Sequence, residues 1–256
     1  MLRNPAEPRR YKSKVVAMKS AIIIGASSGI GRELAKILSN RNYQVGLAAR
    51  RLDLLRSLQE ELPNPSWARA IDVRDRDNTQ SVFAELVSDM GDVDLVVISA
   101  GTGYLNPELD VAKELDTVAT NVQGFTVVAN LVVRHFLAKG SGHLVGISSV
   151  AAIRGSGHAP AYNASKAFIS NYLQGLAQKA ARSGLAITVT EVQPGFVDTD
   201  MAKGDGLFWV APARTAAQQI YEAIEKKRSH VYVTKRWRAV GWLLKIMPTV
   251  LYNRMP

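Results

Sequence analysis

Ile22-Ile23-Ile24-Gly25-Ala26-Ser27-Ser28-Gly29-Ile30-Gly31, continuing into Arg32-Glu33-Leu34-Ala35-Lys36-Ile37-Leu38, sets a β-branched run directly before three glycines and then a helical pattern. Strand, glycine turn and helix follow one another without a gap. Glycine allows the tight turn and a close approach of ligand to backbone, and the amino end of a helix presents unpaired N–H groups and partial positive charge. A pyrophosphate suits that geometry, so Gly25, Ser27, Ser28, Gly29, Ile30 and Gly31 are candidate dinucleotide-binding positions.

Outward from this unit the alternation continues along the chain. Short apolar runs at 21–24, 44–48, 67–71, 94–98, 143–147, 187–192 and 230–233 are separated by helical patterns near 29–41, 51–62, 75–90, 107–139, 160–183 and 212–227. Strands rich in Val and Ile with little alternation are buried on both faces, as in a parallel sheet covered by helices. The expected fold is a single α/β domain over residues 18–235, a doubly wound, Rossmann-like sheet of seven parallel strands. Residues 1–17, with prolines, charge and little periodicity, read as an extension outside the fold, and Met18 is a candidate natural start.

The chain has 256 residues, no cysteine and a net charge of +10. Disulfides and thiolate chemistry are excluded. The four histidines are scattered without a metal-ligand spacing, so no metal site is expected. Residues 226–256 carry eight Lys/Arg and no acid, whereas residues 21–225 carry 18 basic and 21 acidic side chains. Basicity confined to the ends argues against a nucleic-acid partner. No apolar run approaches the roughly 18–20 residues that span a bilayer. The expected location is the cytoplasm, with peripheral membrane contact as an option.

After the second strand the chain reads Ala48-Ala49-Arg50-Arg51, without an acid before Asp53. An acid near this position binds an adenosine ribose, whereas arginine accommodates a 2′-phosphate. Arg50 and Arg51 thus favour NADP(H); the alternative is a pair of solvated arginines at a helix start. Asp72-Val73 follows the third strand, where a carboxylate can hold the adenine amino group. Gly25-Ala26-Ser27-Ser28-Gly29 also fits the GxSxG turn of serine hydrolases, with Ser27 as nucleophile. That reading puts the turn on the first strand and leaves the later motifs unexplained.

Tyr162 and Lys166 stand four apart at the start of a helical pattern, on one face. A nearby ammonium favours phenolate over phenol and makes the tyrosine a usable acid/base. Alone, such a pair is as well explained by two ordinary surface side chains. Ser149, however, ends the fifth strand at the ligand-binding edge of the sheet, where its hydroxyl can donate to a carbonyl oxygen.

With these motifs together, residues from about 18 to 235 resemble a short-chain dehydrogenase/reductase. The glycine turn, Asp72-Val73, Asn121, Ser149, Tyr162/Lys166 and Pro194-Gly195 fall in family order and spacing. The resemblance implies a tetrad of Asn121, Ser149, Tyr162 and Lys166. In it the asparagine holds a water in a proton relay and the lysine also binds the nicotinamide ribose. It also implies that Pro194, Gly195, Val197 and Thr199 position nicotinamide. Where relatives read NNAG, this chain has Ile98-Ser99-Ala100-Gly101; Ala100 and Gly101 still permit backbone approach to the cofactor. A homodimer or homotetramer is expected. The reaction implied is exchange between a small-molecule carbonyl and its secondary alcohol; a non-enzymatic NADP-binding sensor is a further alternative.

Two segments point to the substrate. A lid at 200–211 holds Leu207, Phe208 and Trp209 and hints at an apolar molecule. The tail at 236–256 resembles that of family members acting on lipid-like substrates. As a helix it aligns Trp237, Val240, Leu244 and Met247 in one stripe, with Arg238 and Lys245 flanking Trp242 on another face. Basic, tryptophan-bearing amphipathic helices suit a membrane surface, and the same stripe equally suits packing on its own domain.

Overall fold

The computed structural model describes residues 18–200 and 208–254. The extension read at 1–17 and positions 201–207 of the expected lid lie outside the described residues. The main sheet has seven parallel strands: β1 (Lys19–Ile24), β2 (Tyr43–Ala49), β3 (Ser66–Ala70), β4 (Leu95–Ile98), β5 (Ser141–Ile147), β6 (Ala186–Pro194) and β9 (His230–Val233). Their spatial order is β3-β2-β1-β4-β5-β6-β9. Between β6 and β9, β7 (Val197–Asp198) and β8 (Ala211–Pro212) pair separately.

The helices are α1 (Gly29–Ser39), α2 (Leu52–Glu61), α3 (Arg76–Met90), α4 (Val111–Val118), α5 (Phe125–Lys139), α6 (Pro160–Ser183), α7 (Ala213–Glu225), α8 (Trp237–Ile246) and α9 (Thr249–Tyr252). Successive strand side chains enter opposite layers. Ala21, Ile23, Leu95 and Val97 meet α1, α2 and α7 in one core, while Ile22, Ile24, Val96 and Ile98 meet α3, α5 and α6 in the other. Two buried faces explain the unbroken apolar runs. Strand order reverses at β1, which pairs with both β2 and β4, and ligands of such sheets bind at the carboxyl ends of the strands beside that reversal.

The helical pattern expected as one element at 107–139 is instead α4 and α5 joined by a wider π turn at Ala119–Gly124. Apolar periodicity does not register this change in hydrogen bonding. The turn holds Asn121, which is fully buried, and such turns concentrate at functional sites.

Candidate active site

The glycine turn is braced from two sides. Gly25 N donates to Ala48 O (2.7 Å), and Ser99 N and Ala100 N both donate to Ile24 O (2.8 Å). Gly25 has φ +97°, and a Cβ there would collide with the backbone of Ala100. Only glycine therefore lets β1 and β4 close beneath α1. No acid occupies the first turn of α1, so its free N–H groups face the cleft without a competing carboxylate.

This turn forms one wall of a cleft of about 1580 Å³ running along the strand ends. Ligand pockets are typically about 300–1,000 Å³, so the space suits a dinucleotide together with a second molecule. Of the candidate positions, Gly25, Ser27, Ser28, Gly29, Ile30, Arg50, Arg51, Asp72, Val73, Ala100, Gly101, Ser149, Tyr162, Lys166, Pro194, Gly195, Val197 and Thr199 line it. Gly31 and Asn121 lie behind the lining and support it.

At the α1 end the two arginines differ. Arg51 Nη2 donates to Ser27 Oγ (3.1 Å) and Ser28 Oγ (2.8 Å), grouping a guanidinium with two hydroxyls at the helix terminus. Ser27 thus faces a group that cannot accept a proton, which is unsuited to a hydrolytic nucleophile. Arg50 lies towards Asp72. The Asp72 carboxylate accepts from Arg74 Nε (3.0 Å) and Nη2 (2.6 Å), and these bonds hold it below the usual carboxylate range. An adenine amino group would share that carboxylate with Arg74. The sequence gives no sign of this arginine, which also donates to Asp116 (2.9 Å).

At the end of β5, Ser149 Oγ accepts from Ala151 N (3.1 Å) and donates to Pro194 O (3.4 Å). Tyr162 comes from the first turn of α6. Burial pushes its phenol up from the ordinary value, and the Ser149 hydroxyl opposes that rise. Lys166, 4% exposed, donates Nζ to Ile147 O (3.2 Å), and burial brings its pKa down to about 8. Burial thus moves the tyrosine in the direction opposite to the lowering expected from its lysine. The ammonium lies 5.6 Å from the ring centroid and is itself penalised by the same low-polarity surroundings.

Asn121 is committed to the scaffold. Its Oδ1 accepts from Thr102 N (2.8 Å), while Nδ2 donates to Thr102 O (2.7 Å) and Ser165 Oγ (2.9 Å). Both amide hydrogens are used, so the side chain offers no donor to a relay water. It ties the segment after β4 at Thr102 to α6 at Ser165, the helix that carries Tyr162.

The wall built by the C-terminal segment is one that the sequence did not place. Trp237, 3% exposed, lies against Gly195 and stacks on Phe208 (5.1 Å between centroids), with Phe196 edge-on (5.3 Å). A Cβ on Gly195 would collide with the indole, so the segment Pro194-Gly195 and the tail fit each other. Arg154 Nε and Nη2 donate to Leu244 O (3.0 Å) and Met247 O (2.5 Å), and Tyr252 Oη donates to Gly155 O (2.5 Å). The inner stripe of α8, with Val240 and Leu244, thus lines the cleft. The apolar periodicity was readable; its destination was not, because a stripe carries no address.

A nicotinamide dinucleotide fits these residues. The collision-limited turn at Gly25, the acid-free start of α1 and the Ser27–Ser28–Arg51 group would hold its phosphates, and the cleft lined by them is also lined by Tyr162. Among the described residues, no cluster of metal-ligating side chains occurs.

Comparison with known proteins agrees with this geometry. The family model for short chain dehydrogenases matches residues 19–206. An uncharacterized oxidoreductase of Mycobacterium tuberculosis is 32% identical over 250 residues, covering 93% of this chain and 98% of that one. A short-chain dehydrogenase/reductase of Burkholderia phymatum in complex with NAD superposes with a TM-score of 0.79 at 20% identity, covering 88% and 92% of the two chains. ElxO with NADP bound gives 0.76 at 19% identity, covering 87% and 99%. This chain belongs to the short-chain dehydrogenase/reductase family of oxidoreductases.

Proposed function

We propose that the protein interconverts an apolar carbonyl compound and its secondary alcohol with NADP(H). The observation that carries this reading is the convergence of Ser149, Tyr162 and buried Lys166 in the cleft that begins at the glycine turn. The α1 amino terminus with Ser27 and Ser28 would hold the phosphates, Arg51 and Arg50 the 2′-phosphate, and Lys166 the nicotinamide ribose. When bound, the nicotinamide supplies or accepts hydride.

The protein's own part is proton handling and placement. Ser149, turning its hydroxyl away from the long bond to Pro194 O, would hold the carbonyl oxygen by a hydrogen bond, and the Tyr162 hydroxyl delivers a proton to that oxygen as the alcohol forms. A phenol raised by burial is kept protonated at neutral pH, which suits donation. In the reverse direction the Tyr162 phenolate, the form the Lys166 ammonium favours, takes the alcohol proton. Phe208, Trp237, Val240 and Leu244 make the substrate side of the cleft apolar.

Support for NADP(H) over NAD(H) comes from Arg50 and Arg51 and from the lack of an acid at the end of β2. The test is oxidation of NADPH and of NADH over a panel of ketones and aldehydes. Turnover of an apolar member with NADPH preferred is expected. No turnover with tight NADPH binding would favour a sensor, and equal dissociation constants would remove the cofactor preference.

A further inference from the structure

The C-terminal segment has two apolar faces. Its inner face closes the cleft through Trp237, Val240 and Leu244. Its outer face leaves Trp242, Leu243, Ile246, Val250 and Leu251 between 50% and 66% exposed, and Phe208 and Trp209, which pack against Trp237, and Val210 beside them are 39–50% exposed. Single exposed apolar residues are ordinary, but eight large ones around one short segment are not. α8 carries apolar side chains on both its inner and outer sides, interrupted by Arg238 and Lys245, and such surface belongs in an apolar interior. α8 has such an interior on one side only.

Charge says what lies on the other side. Lys235, Arg236, Arg238, Lys245 and Arg254 are exposed around the apolar residues, and no acidic residue follows Glu225. Arg236 stacks over the Trp209 ring at 5.3 Å, so the cation and the indole form one edge. Tryptophan and basic side chains are the pair that settles at a headgroup boundary, the stem in the apolar phase and the head in water. Between the cations most exposed side chains are aliphatic or aromatic, Thr249 and Asn253 being the polar exceptions, which suits a fluid apolar phase better than a partner recognised by hydrogen bonds.

We infer that the outer face of α8 and α9, with Phe208–Val210, docks on an anionic lipid bilayer, and that the carbonyl substrate reaches the cleft from that bilayer past α8. A helix is about 10 Å across, so the apolar wall of the cleft and the docked surface are separated by one element. The docking stands on the surface alone; the delivery rests on the redox reading above.

The experiment uses the full chain and vesicles of phosphatidylglycerol mixed with phosphatidylcholine, against vesicles of phosphatidylcholine alone. Co-sedimentation is expected to favour the anionic vesicles by at least about tenfold, since each cation near such a surface adds to binding. Added salt should weaken it and leave a remainder from the apolar residues. Trp242→Glu with Ile246→Glu should cut vesicle binding by about tenfold or more, keep turnover of a short water-soluble ketone, and lose turnover of a long-chain ketone held in vesicles. Arg238→Glu with Lys245→Glu, which leaves the apolar face whole, should weaken anionic binding to a similar degree and guards against misfolding of the first variant. A parent that ignores anionic vesicles while reducing the soluble ketone overturns the docking. A parent dimer that the first variant converts to monomer, without vesicle binding, assigns the face to a second copy and also overturns it. Vesicle binding without turnover of either ketone upholds the docking and sinks the redox reading instead.

Discussion

The glycine turn and the C-terminal wall face each other across one cleft and are built on opposite principles. At the turn, backbone geometry decides: Gly25 has no alternative because Ala100 lies against it, and the strands that press there are fixed by the sheet. At the wall, side chains decide: Trp237 is held among Phe196, Phe208 and Trp209, and Arg154 hooks the main chain of α8. A backbone-built half serves any reaction that uses the same dinucleotide. A side-chain-built half shapes what is allowed in beside it.

The sharpest way to separate the halves is Tyr162→Phe, which removes the proton donor and keeps the ring. Turnover should fall about 10²–10⁴-fold, the usual worth of general acid catalysis, with NADPH affinity nearly unchanged. Parallel measurement of rate and cofactor dissociation constant checks it; a near-parental rate removes Tyr162 from the chemistry. Trp237→Ala acts on the other half. Truncating a buried tryptophan typically costs about 3–5 kcal/mol, so denaturant unfolding should show a loss of that order. A loss below about 1 kcal/mol would mean that the wall is a loose cover.

How far each half could be read from sequence follows from the same contrast. Gly25, Tyr162, Lys166 and Ser149 were legible because spacing and position after a strand carry their geometry. The seven strands were legible because burial on both faces leaves unbroken apolar runs. The π turn around Asn121 was not, since it shifts hydrogen bonds without altering the apolar repeat. Nor was the grip of Arg74 on Asp72, which depends on a local turn, or that of Arg154 on α8, which joins residues 90 and 93 positions apart. The inner stripe of α8 was visible as a stripe, but only tertiary structure shows that it faces the cleft.

Two smaller effects refine the backbone-built half. Arg51→Asp should raise the NADPH dissociation constant about 10- to 100-fold while sparing NADH, because it replaces a charge-assisted phosphate partner with a like charge. Arg50→Asp should do less, since Arg50 lies towards Asp72 and not on Ser27 and Ser28; the opposite ranking would reassign the phosphate contact. The last effect concerns pH. Lys166 has a folded pKa of about 8, below its ordinary 10.5, so between these values the unfolded chain binds more protons and stability gains with rising pH. Lys166→Met should therefore stabilise the cofactor-free protein relative to parent below pH 8, by a margin that shrinks towards pH 10.5. Melting temperatures of both proteins across that window check it, and a constant margin would place the lysine in a more polar setting than its burial indicates.

The central claim, that Tyr162 and its neighbours serve a hydride transfer between nicotinamide and a carbonyl carbon, is tested most directly by NADPH deuterated at the reactive ring position. Mass spectrometry should find one deuterium on the carbinol carbon of the product alcohol, and Tyr162→Phe should form that labelled alcohol about 10²–10⁴-fold more slowly than the parent. NADPH oxidation that leaves the alcohol unlabelled, or labelled alcohol formed equally fast by both proteins, would contradict it.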